Sequence, residues 1–105
     1  MKIMQRAILK VVPGKSREAI ELLKKEEAFR ERVGVKPWRM YRCIAGRDGE
    51  DMNTFYLDTD WDSLADFEDF LKKFISEPEM QVLTAKWEPI VASHEMEFYT
   101  VIENL

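Results

Sequence analysis

Residues 36–61, KPWRMYRCIAGRDGEDMNTFYLDTDW, decide how this chain folds. Two apolar, aromatic runs flank Gly46-Arg-Asp-Gly49, the strongest hairpin signal in the sequence. Val35–Ala45 therefore reads as one strand, with Pro37 at its start, where a missing N–H does little harm. Met52–Asp60 reads as the returning strand.

The elements on either side follow from this hairpin. Residues 2–12 are rich in Ile, Leu and Val and stop at Pro13-Gly14, the pattern of a strand and turn. Ser16 is placed to cap a helix running to about Val33, which Gly34 would end in a left-handed conformation. Beyond the hairpin, Trp61 is expected to lead into a second helix capped by Ser63. Leu64, Phe67, Phe70, Leu71, Phe74 and Ile75 recur there with helical period. Ser76-Glu-Pro-Glu79 predicts a new helix start, with Ser76 capping, Glu79 reaching back and Pro78 in the first turn. Met80, Leu83, Trp87, Ile90 and Val91 form its apolar stripe, and Pro89 bends or ends it. His94–Glu103 reads as the last strand. The order β-α-β-β-α-β predicts an α+β, ferredoxin-like domain spanning residues 1–105, a four-stranded antiparallel sheet with helices on one face.

Alternation divides the strands into two sets. Ile3, Ala7, Leu9, Val11, Trp38, Met40, Ile44, Phe55, Leu57, Met96, Phe98 and Ile102 belong beneath the helices. Gln5, Arg42, Asn53 and Thr100 are the polar exceptions in that set. The opposite set holds Arg6, Arg39, Tyr41, Cys43, Tyr56, Asp58 and Tyr99, among apolar neighbours such as Met4, Ile8 and Val12. Such a face is too apolar for water and too polar for a core, which suits an interface or a lined chamber. The simplest cover is a second copy of the same sheet about a twofold axis, giving a homodimer.

Composition narrows the function classes. The formal net charge of −4 argues against a nucleic-acid partner, which needs a basic surface. No apolar run is long enough for a membrane span or a secretion signal, and the single cysteine excludes an intramolecular disulfide. A cytoplasmic protein is expected. No Gly-rich phosphate loop, paired catalytic carboxylates or Ser-His-Asp set can be read, and no metal site or cofactor is expected.

Arg6, Arg39, Tyr41, Tyr56, Asp58 and Tyr99 form the candidate ligand-binding cluster, since arginine can grip an oxyanion and tyrosine can stack and donate. The competing reading pairs the same residues across a dimer, with Arg39 or Arg6 meeting Asp58. His94, the only histidine, is a further candidate as base or ligand. Glu26 interrupts the apolar stripe of the first helix and reads either as solvated or as a partly buried carboxylate.

The segments VVPGKSREAIELL and WDSLADFEDFLKKFISEPEMQVLTAKWEPIVASHEMEFYTVIE, with the hairpin between them, resemble the dimeric α/β-barrel superfamily. The resemblance is nearest to its NIPSNAP and antibiotic-biosynthesis-monooxygenase-type groups. It covers essentially the whole chain. It implies a homodimer whose sheets pack face to face, with a pocket between sheet and helices or between subunits. The superfamily it resembles includes cofactor-independent oxygenases of aromatic substrates, and with the arginine and tyrosine cluster the expected function is binding of a small aromatic or hydrophobic acid, with cofactor-independent monooxygenation as the activity. A non-catalytic dimerisation or assembly module is the alternative. The haem-degrading branch places a histidine about three turns beyond the tryptophan. Here Gln5 and Trp61 stand near that branch's Asn and Trp positions, but Leu71 occupies the histidine region, so the ligand is missing.

Overall fold

A computed structural model describes residues 1–47, 49 and 52–103. The elements are β1 (Ile3–Val11), α1 (Ser16–Arg32), β2 (Arg39–Arg42), β3 (Thr54–Trp61), α2 (Leu64–Ser76), α3 (Pro78–Trp87) and β4 (Val91–Thr100). The strands form one antiparallel sheet in the order β2-β3-β1-β4, the ferredoxin-like arrangement expected from the sequence.

Apolar alternation on the central strands drives the assembly. Ile3, Ala7, Leu9 and Val11 of β1 pack with Phe55, Leu57 and Trp61 of β3 beneath Leu22, Leu23 and Phe29 of α1 and Phe67 and Phe70 of α2. Trp61 meets Phe67 and Phe70 with ring centroids 5.6 Å away in each case. Phe29 faces Phe70 and Phe74, each at 6.1 Å. Gly34 ends α1 at φ +80°, where a side chain would be strained.

Several boundaries move from their expected positions. Trp61 does not lead into α2; it closes β3 opposite Ile3 and is buried, because its ring fits the core. β2 is shorter than expected: Arg39–Arg42 pair with β3 and are all exposed at the sheet edge, and beyond them the Cys43 amide still donates to the Thr54 carbonyl at 2.9 Å. β4 starts earlier, at Val91, so His94 lies within the strand opposite Leu9. Ser16 is the first residue of α1 and provides no cap; its hydroxyl instead contacts Asn53 Oδ1 at 3.4 Å. Ser76 ends α2, donating to the carbonyl of Lys72 at 2.8 Å, and Glu79 meets Arg32 at 3.2 Å instead of reaching back. Ser63 does cap α2, accepting from the Asp66 amide at 3.2 Å. In the expected hairpin turn the Gly49 amide donates to the Gly46 carbonyl at 3.2 Å; Asp48 lies outside the described residues.

Between β1 and β4 the ladder slips: Lys10 faces Ser93 while Val11 faces Val91, leaving Ala92 as an extra residue. Among the described residues no helix is long and apolar enough to cross a membrane.

Candidate functional site

On the helix-free face, register brings much of the expected cluster together. Arg6 lies opposite Asp58, and Nε and Nη2 donate to its two carboxylate oxygens at 2.9 Å each. The guanidinium also sits 5.1 Å from the centre of the Tyr56 ring. The two-pronged bond to Asp58 raises the Arg6 pKa. Asp58 is buried although no helix covers it. Tyr99 lies on the same face, donating its hydroxyl to Glu97, and that bond raises the phenol pKa.

Arg39 lies opposite Asp58 in register, but it reaches diagonally to Asp60, with Nη1 and Nη2 donating at 2.8 and 3.3 Å. This pair holds the Asp60 carboxyl below its ordinary range and Arg39 above its own. Tyr41 lies opposite Tyr56 and is exposed. The pairing anticipated across a dimer is thus met within one chain. Cys43 donates to the Ala45 carbonyl at 3.1 Å, and Arg42 rests over Phe55 at 4.7 Å.

The other face of the sheet holds a cavity of about 470 Å³ between the strands and the helices. Its wall is mostly apolar, with Leu9, Leu57, Phe70, Phe74 and Met96 prominent. A space of this size is large enough for a small aromatic molecule. His94 lines it too, away from the other candidates and itself exposed. Gln5 is fixed in the wall by Trp61, whose indole N–H donates to Oε1 at 2.9 Å, and its own amide meets the Met96 sulfur at 3.4 Å. Leu71, at the position considered for a haem ligand, contributes only aliphatic surface.

Two charged groups of α1 enter this apolar wall. Arg30 is only 3% exposed. Nη2 donates to Thr59 Oγ1 at 2.8 Å and to the Lys36 carbonyl at 3.1 Å. The guanidinium lies 4.7 Å from the Trp38 ring centre and 5.1 Å from that of Phe70. Among the described residues its Nε is the buried side-chain nitrogen left without a hydrogen-bond partner. Burial lowers the Arg30 pKa to about 10, against the opposing pull of Glu26. Glu26, one turn earlier and half-buried, accepts from the Trp87 indole N–H at 2.8 Å. Burial pushes its carboxyl pKa up, more than the Trp87 bond and Arg30 bring it down.

Arg30 escaped the reading of the strands because it sits on a helix. Its signal was the spacing Leu22, Leu23, Glu26, Phe29, Arg30, which places both charges on the buried stripe. Among the described residues no group of three or more His, Cys, Asp or Glu is placed to hold a metal ion.

No protein-family model and no curated protein matches the chain. Solved structures do. An uncharacterized NIPSNAP-like domain protein from Burkholderia xenovorans superposes with a TM-score of 0.78 at 16% identity, covering 96% of this chain and 85% of that one. A NIPSNAP family protein from Agrobacterium tumefaciens gives 0.80 at 14% identity, over 97% and 87%. A proposed antibiotic biosynthesis monooxygenase from Deinococcus radiodurans gives 0.70 at 14% identity, over 98% and 95%. The chain has the ferredoxin-like α+β fold of these two groups, in line with the resemblance read from the sequence. At these identities the likeness is one of fold.

Proposed function

We propose that this protein is a homodimer that binds a small aromatic or hydrophobic acid in the cavity between sheet and helices. The observation that carries this reading is the buried Arg30 guanidinium, a cation set in the wall of an apolar cavity. A buried cation is costly without a counter-charge, which an oxyanion on a ligand in the cavity would supply. The aromatic lining suits the rest of such a ligand. Cofactor-independent oxygenation fits the same arrangement, since that chemistry needs a substrate anion stabilised in a dry chamber. The proposed monooxygenase among the structural neighbours lends support at the level of fold.

The test is titration with 2-naphthoate, read by calorimetry and by quenching of the Trp38 and Trp87 fluorescence. Wild type should bind one equivalent per chain. Arg30→Gln should weaken binding at least tenfold, with circular dichroism showing the fold kept. Absence of any binding, or unchanged affinity in Arg30→Gln, would overturn the reading. A monomeric mass by light scattering at micromolar concentration would remove the dimer from it.

The alternative is a non-catalytic assembly module associating through the helix-free face. The in-chain pairs Arg6–Asp58 and Arg39–Asp60 favour it, since arginines already engaged are poor ligand anchors. Under this reading Tyr56→Phe and Arg39→Ala each weaken the dimer. Under the cavity reading they leave naphthoate affinity unchanged.

A further inference from the structure

Glu26 and Arg30 stand one turn apart on α1, and both line the same apolar cavity. Resting on the cavity reading above, we propose that Glu26 accepts the proton of a phenol or enol whose oxygen Arg30 holds. This narrows the acid to a weak one that is neutral in water and becomes an anion when bound.

The charges in the wall lead to this assignment. A ligand arriving already ionised would bring its negative charge beside the Glu26 carboxylate in a medium that screens poorly. A ligand arriving neutral avoids that conflict. Its O–H bond, or the C–H bond next to its carbonyl, breaks. The electron pair stays on the ligand and delocalises onto the oxygen held by the Arg30 guanidinium, and the proton forms an O–H bond on Glu26. The charge count of the cavity is unchanged by the transfer, and no oxidant is consumed.

Trp87 fixes the acceptor. Its indole N–H donates to Glu26 Oε1 at 2.8 Å, which orients the carboxyl group. Burial raises the carboxyl pKa, which makes Glu26 a better proton acceptor than an exposed carboxylate. The other ionisable groups around the cavity are Arg30 on α1, Glu88 just after α3 and His94 on β4. Arg30 cannot accept a proton. Glu88 and His94 are both exposed, where water exchanges protons freely.

Proton counting tests the assignment, with 2-naphthoate standing in for the phenolate or enolate. Calorimetry at pH 7.5 in phosphate and in Tris, whose ionisation enthalpies differ, gives the protons taken up per ligand bound. Wild type should take up close to one proton, and its affinity should fall about tenfold per pH unit as Glu26 ionises in the free protein. Glu26→Gln should bind naphthoate with no uptake and with an affinity independent of pH. His94→Gln should behave as wild type. Binding without proton uptake in wild type, or uptake that persists in Glu26→Gln, overturns the proposal while leaving the cavity reading intact. Failure of wild type to bind naphthoate overturns both.

Discussion

Strand β3 presents two different solutions to burial on its two sides. Towards the helices it places Phe55, Leu57, Thr59 and Trp61, held by packing against rings and aliphatic chains. Away from them it places Thr54, Tyr56, Asp58 and Asp60, held by ion pairs with Arg6 and Arg39. The polar side attracts attention in the sequence, yet its charges are already matched within the chain. The apolar side looks like ordinary core, yet it contains the cavity and the unmatched donor. The candidate site is marked by a buried cation beside a cavity, whereas Arg6 and Arg39 in the polar cluster are already paired.

Mutations on the two sides should therefore differ in size and in kind. Trp61→Ala should cost the most, about 4 kcal/mol in urea unfolding, from the lost ring packing and the stranded Gln5 carbonyl. A loss under about 1 kcal/mol would mean the helix-covered side is not the structural one. Arg6→Ala should cost about 2 kcal/mol, because it leaves Asp58 buried without its cation. Removing both charges with Arg6→Met and Asp58→Leu should recover most of that loss.

Glu26 predicts a change of slope with pH. Its folded pKa is raised, so the folded state binds more protons between the ordinary glutamate range and the raised value. Its stabilising contribution is therefore complete below the ordinary range and is lost as pH rises through that window. Thermal melts from pH 4 to 8 should show the wild-type midpoint falling relative to Glu26→Gln as pH increases; parallel curves would contradict the burial of this carboxyl. The smallest effect belongs to Arg39→Ala. Its partner Asp60 is half exposed, so the pair is worth about 0.5 kcal/mol and should vanish in high salt. A larger loss that depends on protein concentration would show Arg39 at a subunit contact.

Much of the architecture was legible because alternation on β1 and β3 and the helical period of α2 are strong, local patterns. Trp61 looks like a helix entrance because it stands just before a capping serine, while its place in β3 depends on Phe67 and Phe70 closing over it. The extent of β2 is not legible, because an exposed edge strand keeps its β-forming residues beyond the paired ones. In the candidate site, Arg6 and Asp58 were legible as neighbours once the strands were paired. Arg30 is not legible as a site residue, since its surroundings include the rings of Trp38 and Phe70, which are distant in sequence. Glu26 was noticed as an interruption of a stripe, and only the Trp87 contact shows what the interruption holds.

The slipped ladder between β1 and β4 bears on how this strand tolerates changes of length. With Ala92 as the extra residue, Val91 and His94 both line the cavity although three positions separate them. Removing Ala92 would leave Val91, Ser93 and His94 in plain alternation, with Val91 and His94 still on one side. A deletion there should therefore be nearly silent. Removing Glu95, inside the regular ladder, would turn Met96 and Phe98 outward and bring Glu97 and Tyr99 beneath the helices. Two deletions three residues apart thus separate a spacer from a phase-setting position in the same strand.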